Sequence, residues 1–265
     1  MTVCIAALAE NEKSVVLASD KMISKQMPPI EYEHDVEKIV KMTDNFYVLI
    51  AGTVNNAIDI INKAKPQIRE NQNPNEKFEK MKKAYADYRD EKIVDEILRS
   101  QGFHSLQDFQ SRQQSLNQNV ANQIQGLIGK ANLQTIMTLV AFDNEKCHLK
   151  VLIHPGSLVN PIEYATTGSG ELHATQSLIG AKYKKSDDLD AATYLVFEAK
   201  KRAEVAPGVG LLTEMIVLSK QDDGTIKERR LTEEDLGKLA EVYESVNARD
   251  TEKIKAVLVE KEFHL

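Results

Sequence analysis

Thr2 stands directly after Met1 and heads the apolar run Val3-Cys4-Ile5-Ala6-Ala7-Leu8. Loss of the initiator methionine would make it an N-terminal threonine, which carries its own base in the α-amino group. An α-amine has a pKa of about 7.7 to 8.0, so part of it is unprotonated near neutral pH and can take the hydroxyl proton. The chemistry this permits is nucleophilic acyl transfer. Other chemistries have weaker support. Cys4 and Cys147 lie in strand-like apolar contexts without a Cys-x-x-Cys spacing, so buried reduced thiols are expected in place of a disulfide or zinc site. The six histidines, His148 and His154 among them, form no paired metal-ligand spacing. No metal and no cofactor are expected.

A nucleophile at a chain end needs a rigid frame, and the hydrophobic pattern supplies one. Val3–Leu8 and Ser14–Ser19 read as a hairpin, and Lys38–Met42 and Phe46–Ala51 as a second pair of strands. From Val54 to Ile68 the period changes to three and four, the spacing of an amphipathic helix. Residues 70–117 are charged and Gln-rich, yet Phe78, Met81, Tyr85, Tyr88, Ile93, Phe103 and Phe109 keep roughly helical spacing. They read as an inserted helical subdomain in an otherwise single domain spanning 1–265. A helix over Asn119–Lys130 follows, then strands over Leu133–Phe142, Lys146–Ile153 and Ile162–Thr166. Helices over Leu172–Ile179 and Leu189–Ala203, a hairpin over Asp222-Asp223-Gly224 and a charged helix from Thr232 complete the order. Segregated strands and helices of this kind predict an α+β fold, a four-layer αββα sandwich of two antiparallel sheets with helices on both outer faces.

Composition bounds the function. With 42% hydrophobic and 28% charged residues the chain is expected to be a soluble globular protein, and its net charge of -6 argues against broad attraction to nucleic acid or anionic membrane. No stretch approaches the length of a membrane-spanning helix, and the N-terminus lacks a basic region followed by a long apolar run. A cytoplasmic location is the expectation.

Four further segments bear on Thr2. They are Val15-Val16-Leu17-Ala18-Ser19-Asp20, Glu37-Lys38-Ile39, Ile50-Ala51-Gly52-Thr53-Val54 and Tyr164-Ala165-Thr166-Thr167-Gly168-Ser169-Gly170. In type and order they resemble the proteasome β-subunit family of N-terminal nucleophile hydrolases, over most of the chain except roughly 70–117. The resemblance implies that Thr2 is the nucleophile, Asp20 the carboxylate of the site and Lys38 its lysine. It further implies that Gly52 is the oxyanion donor and that Ser169 sits near the threonine amine. By family position Ile23, Ser24, Val36, Ile50 and Val54 would line the substrate pocket, giving an apolar preference. Taken singly these residues have plainer readings: a surface ion pair for Asp20 and Lys38, a strand end for Gly52, and a turn or anion-binding loop for Gly168–Gly170.

One element departs from the family pattern. Where relatives carry Asp-x-x-Ser-Gly after the fourth helix, this chain reads Glu204-Val205-Ala206-Pro207-Gly208. Glu204 is the candidate replacement for the aspartate, with a longer reach, while Pro207 offers no hydroxyl. The leading functional expectation is a threonine-type peptidase or amidohydrolase acting on a peptide or protein, activated by removal of Met1. The alternatives are a transpeptidase or protein ligase of the same chemistry, and a non-catalytic proteasome-like assembly subunit. Homo-oligomers are expected, with an ATPase or ring-capping partner docking where the insert protrudes.

Overall fold

The structure is a computed structural model that describes residues 2–25, 30–33 and 37–247; at 23–25 and 30–33 it describes the backbone alone. In chain order the first elements are β1 (Val3–Ala9), β2 (Ser14–Asp20), β3 (Met22–Lys25), β4 (Ile30–Glu33), β5 (Ile39–Thr43) and β6 (Phe46–Gly52). Four helices follow: α1 (Val54–Ala64), α2 (Pro74–Ile93), α3 (Leu106–Arg112) and α4 (Gln118–Lys130). Then come β7 (Thr135–Phe142), β8 (Cys147–Ile153), β9 (Ser157–Val159), β10 (Tyr164–Gly168), α5 (Glu171–Gly180) and α6 (Leu189–Ala203). The last elements are β11 (Thr213–Lys220), β12 (Ile226–Arg230) and α7 (Glu233–Asn247).

Two five-stranded antiparallel sheets form the frame, in the orders β10-β1-β2-β11-β12 and β5-β6-β7-β8-β9. Between them lies a core to which β1 gives Cys4, Ala6 and Leu8, β2 gives Val15 and Leu17, and β6 gives Tyr47, Leu49 and Ala51. The alternate residues of β6, Phe46, Val48 and Ile50, face the other way and pack with Ala57, Ile60 and Ile61 of α1 and Phe78, Met81 and Tyr85 of α2. On the opposite side α5 and α6 cover β1 and β2. Every residue of β1 and β2 is therefore buried, which explains why both read as unbroken apolar runs in place of an alternating pattern. This is the expected α+β sandwich. Sequence patterning missed the short hairpin of β3 and β4, four residues each, although Ile30-Glu31-Tyr32-Glu33 alternates apolar and polar residues.

The stretch 70–117 divides in two. Asn73 caps α2 by accepting from the Glu76 amide (3.0 Å), Glu76 accepts from the Asn73 amide (3.0 Å), and Pro74 occupies the first turn. Phe78, Met81, Tyr85 and Tyr88 of α2 then join the core above the second sheet, so α2 is part of the helical layer. A separate small core begins at Ile93 and gathers Leu98, Phe103, Phe109 and Ile124. It includes α4, beyond the boundary that sequence composition suggested, because the helix-facing apolar residues of α4 complete a cluster that α3 is too short to close. Met1–Arg230 forms one compact unit, and a second begins at Leu231. In the latter, the Thr232 hydroxyl accepts from the Asp235 amide (3.2 Å) and so caps α7.

Candidate active site

Antiparallel pairing brings the predicted residues to one end of the sandwich. The pairing of Cys4 with Ser19 sets the start of β1 beside the end of β2, and that of Val3 with Gly168 sets it beside the end of β10. In the facing sheet Lys38 immediately precedes β5, and its carbonyl accepts from the Ile50 amide of β6 (2.9 Å). Strand ends that lie far apart in sequence thus meet around Thr2.

The Thr2 hydroxyl donates a short hydrogen bond to Asp20 Oδ1, and Lys38 Nζ donates to Thr2 Oγ1 (2.5 Å) and to Asp20 Oδ1 (2.9 Å). Thr2 and Lys38 are 2% exposed and Asp20 is fully buried, which excludes the surface ion-pair reading. Asp20 is saturated with donors: the Val3 amide on Oδ1 (2.8 Å), and the Met22 (2.9 Å) and Gly210 (3.0 Å) amides on Oδ2. Burial alone would raise its carboxyl, but the Lys38 charge and the hydrogen bonds from Thr2, Lys38 and Gly210 outweigh it and hold the group below the ordinary carboxylate range. Asp20 is ionised and fixed.

Ser169 lies at the exposed edge of the site. Its Oγ accepts from the Thr2 backbone nitrogen (3.2 Å), and its hydroxyl proton faces the Thr2 carbonyl (3.3 Å) and the Pro207 carbonyl (3.2 Å). The Gly170 amide also reaches the Thr2 carbonyl (3.2 Å). Gly168 holds φ +98, and a Cβ there would sit 2.3 Å from the Thr2 carbonyl oxygen, so this glycine is required by the close approach of β1. Gly52 ends β6 with φ +92, and a Cβ would fall 2.0 Å from the Gln134 carbonyl oxygen. The structure brings Thr2, Asp20, Lys38 and Ser169 into direct hydrogen bonding. It sets Gly52 two residues past Ile50, whose carbonyl accepts from Cys4 Sγ (3.1 Å), two residues after Thr2.

The pocket residues fare differently. The Ile50 side chain packs into the core beneath α1 and α2, away from the inter-sheet face. Val54 opens α1 and is half-buried. Ile23 and Ser24 belong to β3, where the backbone alone is described, and Val36 lies outside the described residues. Glu204 does not bond to Ser169; it pairs with Lys200 (2.6 Å) and Lys201 (2.8 Å), and the Pro207 carbonyl is the acceptor for Ser169 at that point. Cys4 is core, as its position inside β1 indicated, and burial pushes its thiol up to about 12. Sequence reasoning missed the Gly210 amide and the buried Lys200. A signal for the latter exists: Lys200 and Glu204 form an i,i+4 pair on the face of α6 that also carries Val196, Ala199 and Ala203.

Among the described residues no group of histidine, cysteine or carboxylate side chains is arranged to hold a metal ion, and no helix is long and apolar enough to cross a membrane. An open groove of about 680 Å³ lies beside α2 and α3 and is lined by Asp87, Asp90, Glu91 and Asp95 with Arg99 and His104; none of the Thr2 constellation borders it. Residues 4–103, from β1 into the satellite core, match the family described as Proteasome subunit. The matched stretch is similar to that family, and the two five-stranded antiparallel sheets flanked by helices are consistent with the proteasome-like fold of the N-terminal nucleophile hydrolases. No curated protein matches the chain.

Proposed function

We propose that this protein is a threonine-type peptidase or amidohydrolase whose nucleophile is Thr2 after removal of Met1. The observation that carries the reading is the Thr2 hydroxyl clamped between Asp20 and Lys38 in a buried site, with the Thr2 nitrogen on Ser169. The freed amine takes the hydroxyl proton as Oγ1 attacks the carbonyl carbon of the substrate. Lys38 stabilises negative charge on Oγ1 before the bond forms, and Asp20 keeps Lys38 charged and oriented. The carbonyl π electrons move to oxygen, where the Gly52 amide is the donor we assign to the oxyanion, a role worth on the order of 3 kcal/mol in comparable sites. Collapse breaks the C–N bond, the leaving amine takes the proton held by the Thr2 amine, and an ester on Thr2 remains. Water then attacks that ester, releasing the acid and restoring the hydroxyl. An amine in place of water would give a new amide, so hydrolysis and transpeptidation differ only in the second step.

Val54, at the mouth of α1, supports an apolar component to substrate preference. Exposed Leu172 and Ile179 on α5 support homo-oligomeric assembly, as a proteasome-like fold suggests. We place the protein in the cytoplasm, and we assign the satellite core of α3 and α4 to docking of an ATPase or ring-capping partner, or to control of access to Thr2. The central test is intact-mass analysis followed by a peptidyl electrophile. Loss of Met1, one adduct per chain, and no adduct in Thr2→Ala are expected. Retained Met1, or undiminished adduct in the variant, overturns the reading; an added amine that accelerates product release without acid formation would identify transpeptidation.

A further inference from the structure

Lys200 is a lysine with no exposed surface in the last turn of α6. Its ammonium has three protons, and all three are used: Glu204 Oε1 (2.6 Å), the Gly210 carbonyl (2.9 Å) and the Leu211 carbonyl (2.8 Å). Burial pulls the amine below the ordinary lysine range, and Glu204 opposes that pull. A buried ammonium is a costly way to anchor a loop, because an apolar side chain packed against α6 would avoid the desolvation. What distinguishes this loop is its next contact. The amide of Gly210, the residue whose carbonyl Lys200 holds, donates to Asp20 Oδ2.

We propose that Lys200 is a positioning residue for the Thr2 site: by holding the Gly210 and Leu211 carbonyls it fixes the Gly210 amide on Asp20, and thereby aligns Asp20 on Thr2 and Lys38. The inference deepens the hydrolase reading and rests on it for its catalytic consequence, while the alignment itself is a structural matter. Lys200 touches neither Thr2 nor any position a substrate carbonyl would take. It acts through one backbone segment. Glu204 belongs to the same device, since its second carboxylate oxygen on Lys201 ties the end of α6 to the pair.

The test uses Lys200→Met and Lys200→Gln in the full chain. The glutamine is uncharged and its amide nitrogen falls one bond short of the lysine Nζ, so it does not hold both carbonyls, and it serves if the methionine variant does not fold. Val209-Gly210 is the one Val-Gly pair in the sequence, so labelling valine carbonyls with 13C and glycine amides with 15N gives a single resolved signal for this amide. In both variants that signal is expected to move upfield and exchange faster with solvent. Acylation of Thr2 by a peptidyl electrophile is expected to lose its limiting rate on the order of ten- to hundred-fold, as for a misplaced catalytic group, with half-saturation unchanged within about twofold. A merely structural staple would leave the limiting rate intact. An unmoved signal in a folded variant, or a moved signal with an unchanged limiting rate, overturns the proposal. Failure of the wild type to acylate defeats the hydrolase reading instead, and the Val209-Gly210 signal still decides whether Lys200 aligns the Asp20 donor.

Discussion

Asp20→Asn changes one atom type and is expected to be among the most destabilising isosteric substitutions in the chain. The carboxylate accepts five donors: the Thr2 hydroxyl, the Val3 amide and Lys38 on Oδ1, and the Met22 and Gly210 amides on Oδ2. An asparagine keeps one acceptor oxygen and turns an NH2 toward the others, so donors then face donors. Lys38, 2% exposed, loses its counter-charge. Breaking a buried pair by removing one partner costs about 3–5 kcal/mol, a large share of the roughly 5–15 kcal/mol that stabilises a typical domain. Lys38→Met should cost less, because Asp20 retains four hydrogen bonds. The carboxyl of Asp20 lies below its ordinary value in the fold, so its contribution is complete above the unfolded-state value of about 3.9 and is lost as pH falls through the lower folded value. Urea unfolding at pH 7 and then at decreasing pH measures this. The gap between wild type and Asp20→Asn is expected to narrow below about pH 4. Equal stability at pH 7, or a gap that stays constant into acid, would refute the assignment of Asp20 as an ionised anchor.

Gly168→Ala puts a Cβ 2.3 Å from the Thr2 carbonyl oxygen at φ +98, so acylation of Thr2 should fall on the order of 100-fold through displacement of β1; an unchanged rate would mean that the start of β1 yields freely. Ser169→Ala removes the acceptor that orients the Thr2 nitrogen and should slow acylation about tenfold; an unchanged rate with the same electrophile would leave Ser169 without that orienting role. Cys4, its thiol raised to about 12, should resist maleimide at pH 8 in the native protein and react once unfolded, as mass spectrometry of labelled peptides would show. Phe103→Ala should cost about 3–5 kcal/mol in the satellite core while leaving acylation by a small electrophile within twofold, and a parallel loss of both would join the two cores into one cooperative unit.

The residues that could be read directly from the sequence are those whose role is local. Thr2 is defined by its place after Met1, Asp20 and Lys38 by the strands they end and begin, and Gly168 and Gly52 by backbone conformations in which other residues are strained. The layers were legible because short unbroken apolar, β-prone runs differ from the 3.6-residue period of the helices. What escaped was set by tertiary contact. Glycine at 210 carries no mark of the carboxylate its amide will meet, 190 positions earlier in the chain. Ile50 lies in the expected strand, but which face of β6 turns to the helices is fixed by the pairing with β7 and not by composition. The α2 helix reads as polar because its buried face is narrow, and its place in the layer follows from α1 beside it.

Electrostatic balance explains how so polar a site is tolerated inside the sandwich. Asp20 and Lys38 neutralise each other, Glu204 holds Lys200 and Lys201 behind them, and the two groups meet through the Gly210 segment. Removing Met1 adds an amine beside Ser169, where Asp20 is already fully engaged by other donors and offers it no free acceptor. The amine that the proposed removal of Met1 would free thus has Ser169 Oγ as its acceptor at the exposed edge of the site.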